Sequence, residues 1–128
     1  MTSDIPPDLL KFVRGETEPA AFPHREHVRM AYEMLRRHPF DETVLHYSRG
    51  LRSIAAKAGK PQVFHQTITV AFLAVIAERM GEAPGEFDDF ARAHPDLFDK
   101  GVLRRWYRPE RLDSAAARRT FLLPDARP

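Results

Sequence analysis

A helical period, cut at short intervals by glycine and proline, is the feature that most restricts this chain. Apolar residues recur at i, i+3, i+4 and i+7 in one segment after another. No stretch alternates apolar and polar residues over six positions between turn signals, and no Asn-Gly or Asp-Gly hairpin dipeptide occurs. The period therefore predicts an all-α chain. Residues 1–128 are expected to form a single domain, a helical bundle of four to five helices closed by a C-terminal strap of short helices.

The breakers set the elements. A first short helix is expected after Ser3, with Pro6 and Pro7 in its first turn, ending at Gly15. Residues 16–23 form a connector. The second helix runs from His24 to Arg37 with His24, His27, Val28, Ala31, Met34 and Leu35 on one face, and Pro39 punctuates its end. The third opens at Asp41-Glu42, acidic residues suited to a helix N-terminus, and turns Val44, Tyr47, Leu51, Ile54, Ala55 and Ala58 inward before Gly59. Gly50, inside it, marks a place where another helix packs closely. The fourth starts at Pro61 and continues to Met80. It is apolar on all sides from Phe64 to Ala77 apart from His65, Gln66, Thr67 and Thr69, which predicts the central, fully buried helix. A fifth, Glu86 to Ala93, carries Phe87, Phe90 and Ala91 and breaks at His94-Pro95. From Asp96 onward short helical turns alternate with breakers, with Trp106, Tyr107, Phe121 and Leu122 as the strap's anchors and residues 125–128 frayed.

Several function classes are disfavoured. There is no cysteine, so neither a disulfide framework nor a thiolate metal site is available. The N-terminal residues have no basic or apolar run of the secretory kind, and the longest apolar run, Val70 to Ala77, is too short to span a bilayer, which predicts a cytoplasmic protein without membrane association. The net charge of +2 is nearly balanced. The arginine pairs Arg36-Arg37, Arg104-Arg105 and Arg118-Arg119 are dispersed, unlike the basic stripe of a nucleic-acid binder. A small-molecule partner fits these limits, and so does a homodimer. No Gly-x-Ser-x-Gly elbow, phosphate loop or His-Glu-x-x-His helix is present, so covalent catalysis and nucleotide binding are poor hypotheses.

The histidines carry the sharper hypothesis. If consecutive helices run antiparallel, the second and fourth start at the same end. His24 and His27 then lie in the first turn of one and His65 in the first turn of the other. Three neutral imidazoles on inward faces form a facial set for one divalent transition metal, with zinc, nickel, iron and copper not distinguished, and with a position open to water or substrate. His94 is a further contributor at that end. Gln66, Thr69, Tyr47 and Lys100 are the residues placed to contact ligands or substrate, with Glu26 and Asp99 nearby. The competing reading is structural. Thr69 bonds back to its own helix, Tyr47 is a core tyrosine with its tip hydrogen-bonded, and the histidines are satisfied core residues. On that reading the chain is a non-catalytic, metal-free module that binds a small ligand or protein partner.

The strings Phe22-Pro23-His24-Arg25-Glu26-His27, Phe64-His65-Gln66-Thr67-Ile68-Thr69 and His94-Pro95-Asp96-Leu97-Phe98-Asp99-Lys100 resemble a group of small uncharacterised bacterial all-helical proteins. Their pattern is F-x-H-x-x-H, (Y/F)-H-x-T-(I/L)-T and H-P-x-L-x-D-K, in this order. The resemblance covers most of the chain after residue 20 and implies a helical fold without implying a reaction. Members of the group often carry Glu after the third histidine, where this chain has Gln66. An amide cannot accept a proton at neutral pH, so a base at that position is lost here.

Overall fold

The computed structural model describes residues 5–82 and 84–126. Ser3 and residues 127 and 128 lie outside the described residues; the first helix starts at Pro7 with Pro6 as its N-cap, and residues 125 and 126, expected to fray, are hydrogen-bonded to the Trp106 carbonyl. The described residues are helical or irregular throughout, with no strand among them. After a short first helix come three longer ones, and shorter ones follow. The elements are α1 (Pro7–Val13), α2 (His24–Arg37), α3 (Phe40–Lys57), α4 (Gln66–Met80), α5 (Phe87–Ala93), α6 (Pro109–Leu112) and α7 (Ala115–Arg119), with 3-10 turns at Pro19–Ala21, Pro61–Val63, Pro95–Phe98 and Val102–Arg105. The chain divides into two compact units, Met1–Val63 and Phe64–Pro128.

In the first unit α1, α2 and α3 pack against one another. Gly15 ends α1 as the sequence requires. Its φ of 74° suits glycine, and the amide of Glu16 reaches the Lys11 carbonyl at 2.8 Å while that of Gly15 reaches Phe12. The core is aromatic. Phe12 stacks on Phe22 with ring centroids 5.1 Å apart and tilts against Tyr47 at 5.6 Å. The buried face of α3 differs from the predicted one. Thr43, Tyr47, Ser48, Gly50 and Ala55 are buried, whereas Val44, Leu51 and Ile54 are half-buried and Ala58 is exposed. Small side chains face inward because they let neighbouring backbone and rings come close. α2 buries more than one stripe, with Met30, Tyr32 and Glu33 joining Val28, Ala31 and Met34. The buried Glu33 carboxylate is tolerated because Arg37 Nη1 donates to it at 2.6 Å and Arg36 Nη1 at 3.3 Å.

In the second unit α7 and the Val102–Arg105 turn pack on α4, and α5 packs on the Pro95–Phe98 turn. α4 is less enclosed than predicted. Leu73 and Ile76 are fully buried, but Ile68 is 39% exposed, and Val70, Ala74 and Val75 are half-buried. After α7 the chain runs irregularly from Thr120 to Ala126, and its backbone groups are tied by specific partners. The Thr67 hydroxyl donates to the Thr120 carbonyl at 2.6 Å and accepts from the Leu122 amide at 3.0 Å. Tyr107 donates to the Leu122 carbonyl at 2.8 Å, Arg111 to that of Leu123, and the amides of Asp125 and Ala126 both reach the Trp106 carbonyl. Tyr107 is a buried anchor as predicted, whereas Phe121 is 39% exposed. Hydrogen bonds, more than apolar burial, hold this segment.

Thr67→Val keeps the side-chain shape and removes both strap bonds. It is expected to cost about 1–2 kcal/mol, with water partly replacing the lost partners. The Leu122 amide should then exchange faster than in the parent protein. Unchanged protection at Leu122 would show that the hydroxyl does not hold the strap.

Candidate functional site

The position of His65 decides the metal question. Pro61 was expected to open the fourth helix, but it opens only a 3-10 turn, and α4 begins at Gln66. His65 is therefore the N-cap, with extended backbone at φ −133° and ψ 108°, and not a first-turn residue. Its Nδ1 accepts from the Ile68 amide at 3.1 Å, satisfying one of the amides that every helix start leaves open. Its Nε2 lies 2.7 Å from the Leu112 carbonyl, and since a carbonyl only accepts, Nε2 carries the proton. The ring is the neutral Nε2–H tautomer with its one lone pair directed at an amide. A metal needs that lone pair.

The three-histidine site is therefore overturned. Among the described residues no group of three or more His, Cys, Asp or Glu side chains could hold a metal ion. The divalent cofactor, whether zinc, nickel, iron or copper, falls with it, as does a metal-activated water or substrate. His24 and His27 do lie near each other in the first unit, their ring centroids 5.9 Å apart. Two imidazoles alone do not make the facial set that the proposal required. His27 is also built into the aromatic core, edge-on to Phe22 at 4.4 Å.

The residues expected to contact substrate hold other positions. Tyr47 is buried and donates to the His27 carbonyl at 2.9 Å, and burial pushes its phenol far above the ordinary range, so it stays a neutral donor. The Thr69 hydroxyl donates back to the His65 carbonyl at 2.7 Å. Gln66 is the first residue of α4 and half-buried. Lys100 is exposed and lines a cavity that includes His65. Glu26 is bound by Arg29, with Nη2 at 2.9 Å, and burial raises its carboxyl while Arg25 draws it down. His94 packs on Phe90 at 4.7 Å. Asp99 accepts from the Gly101 amide at 2.8 Å. In the third motif Asp96 takes a bidentate pair of bonds from Arg79 (2.6 and 2.9 Å) and one from Arg105 (2.8 Å). The Arg79 hydrogen bond holds its carboxyl below the usual range.

Sequence reading missed a groove in the second unit. Ala71, Ala74, Val75 and Glu78 recur at i, i+3, i+4 and i+7 along one side of α4 and form its floor. Leu103, Trp106 and Tyr107 make one wall, and Phe121 and Pro124 of the strap make the other. The volume is about 190 Å³. Two of its polar groups are committed to the scaffold, since Arg79 holds Asp96 and the Tyr107 hydroxyl holds Leu122, and the exposed Glu78 carboxylate edges it at one end. The groove thus presents mainly apolar surface, with Glu78 as its one uncommitted charged group among the described residues. The small residues Ala71 and Ala74 inside an otherwise bulky helix were the available signal, because they leave space beside it.

No helix among the described residues is long and apolar enough to cross a membrane. Searches of family models, of curated proteins and of solved structures find no match to this chain.

Proposed function

We propose that this chain is a metal-free, non-catalytic helical module that binds a small apolar ligand, of the size of one ring or a short alkyl chain, in the groove between α4 and the strap. The observation that supports this reading is the lining, a concave and largely apolar surface containing an indole, in a volume of about 190 Å³. A volume of that order suits a benzene-sized guest, as a dry cavity of roughly 150 Å³ does. Away from the Glu78 end, water in such a groove finds few partners because Arg79 and Tyr107 are already engaged, so an apolar group displaces it favourably there. A ligand of about ten heavy atoms gains roughly 0.3–0.5 kcal/mol per atom. That corresponds to a Kd on the order of 1 mM.

Trp106 is the sole tryptophan and lines the groove, so its fluorescence reports occupancy directly. Titration with benzyl alcohol or cyclohexanol is expected to give a saturable change in emission. Ala74→Leu, which fills the floor, should abolish that change and leave the helical circular dichroism intact. A response that stays linear in ligand, and equal in the two proteins, overturns the reading.

A further inference from the structure

A second cavity of the same unit, about 230 Å³, is lined by several cations. Lys100, Arg104 and Arg118 line it against a single carboxylate, Asp113. Four other arginines of this unit are spent internally. Arg79 and Arg105 share Asp96, Arg92 holds Asp89, and Arg111 donates to the Leu123 carbonyl. Among the described residues Lys100 and Arg104 have no such partner. The acid closest to them in the chain, Asp99, is turned to the Gly101 amide at 2.8 Å. Gly101 itself lines the cavity, and a Cβ placed there would lie 3.7 Å from both Cδ and Nη1 of Arg104, so the guanidinium lies over the cavity's own backbone. The remaining lining is apolar, with Ile68, Leu103, Pro109 and Leu112 beside the His65 ring.

We infer that this cavity binds the anionic end of a small organic anion, a carboxylate or a phosphate monoester. Lys100 and Arg104 hold the charge, and the ligand's apolar part lies against Ile68 and Leu112. Three cations facing the one carboxylate of the lining leave an excess of positive charge, which a bound anion offsets. Ile68 is 39% exposed at the mouth, an apolar cost that a ligand's hydrocarbon part would offset. The cations are exposed, so binding weakens as salt screens them. This site shares Leu103 with the groove but not Trp106 or Ala74, so the two can be probed separately.

The test is titration of the whole chain at low ionic strength with phenyl phosphate and benzoate, with inorganic phosphate and benzyl alcohol for comparison, followed by amide chemical shifts. Saturable shifts at Gly101 and Arg104 are expected with the two organic anions. The tighter of the two identifies phosphate or carboxylate as the preferred head. Inorganic phosphate should bind severalfold more weakly, and benzyl alcohol should leave those amides in place. The double variant Lys100→Ala/Arg104→Ala should weaken binding by tenfold or more. Asp113→Asn should tighten it about twofold or more, an effect that damage to the fold would not produce. Ala74→Leu should leave it unchanged, so failure of the groove reading does not carry over. Equal affinity in the parent, the double variant and Asp113→Asn overturns the proposal. So does an equal response of those amides to benzyl alcohol.

Discussion

Gly50→Ala is expected to destabilise the first unit by about 1–2 kcal/mol net, since overpacking outweighs the helix propensity scale, on which alanine gains about 1 kcal/mol over glycine. A Cβ built at Gly50 would lie 2.7 Å from both Cε atoms of the Phe12 ring and closer still to Cζ. Relief by a small rotation is not available. The ring is 1% exposed, stacked on Phe22 at 5.1 Å and packed against Tyr47 at 5.6 Å, so any shift is passed to two further aromatic groups. Urea unfolding followed by far-ultraviolet circular dichroism measures the loss. Adding Phe12→Leu to Gly50→Ala should recover part of it, because the ring atoms that clash are removed. A Gly50→Ala protein as stable as its parent would falsify the close approach of α1 to α3.

His65→Ala is expected to cost about 2–4 kcal/mol in the second unit, the sum of two separate losses. The α4 N-terminus loses the acceptor for the Ile68 amide, and the Leu112 carbonyl loses its donor. His65→Asn restores an N-cap acceptor without the longer reach, and should recover about 1 kcal/mol. Hydrogen exchange separates the two contributions. The Ile68 amide should lose protection in His65→Ala and regain it in His65→Asn. If asparagine proves no better than alanine, the ring is not acting as a cap.

The fate of His65 shows how much of the candidate site was legible. The residues after it were read correctly as helix, those before it were not, and its inward placement was right, since it is buried. The error was one of register. Proline at N1 is a good start signal, yet Pro61 starts a 3-10 turn and the chain then extends through His65 before helix resumes. A delay of one turn moved the imidazole from the first turn to the cap and gave its lone pair to an amide. The same holds for the motif strings. Residues that suggest ligation by type hold Ile68, Leu112, Thr120 and Arg79 in place instead. Thr69 and Tyr47 were more legible, because their partners, the carbonyls of His65 and His27, belong to helices the period had already located.

What the chain determines locally is its helical character and most of its breaks. The 3.6-residue period, the stops at Gly15, Gly59 and Gly81, and the burial of Phe87, Phe90 and Ala91 follow from interactions within a few residues. The groove and the long-range use of polar side chains were decided only by tertiary structure. His65 meets a carbonyl 47 residues away and Thr67 one 53 residues away. A hydrogen bond is selected by which group arrives within about 3 Å in the right direction. No spacing in the sequence encodes that arrival, because it depends on how every intervening turn adds up.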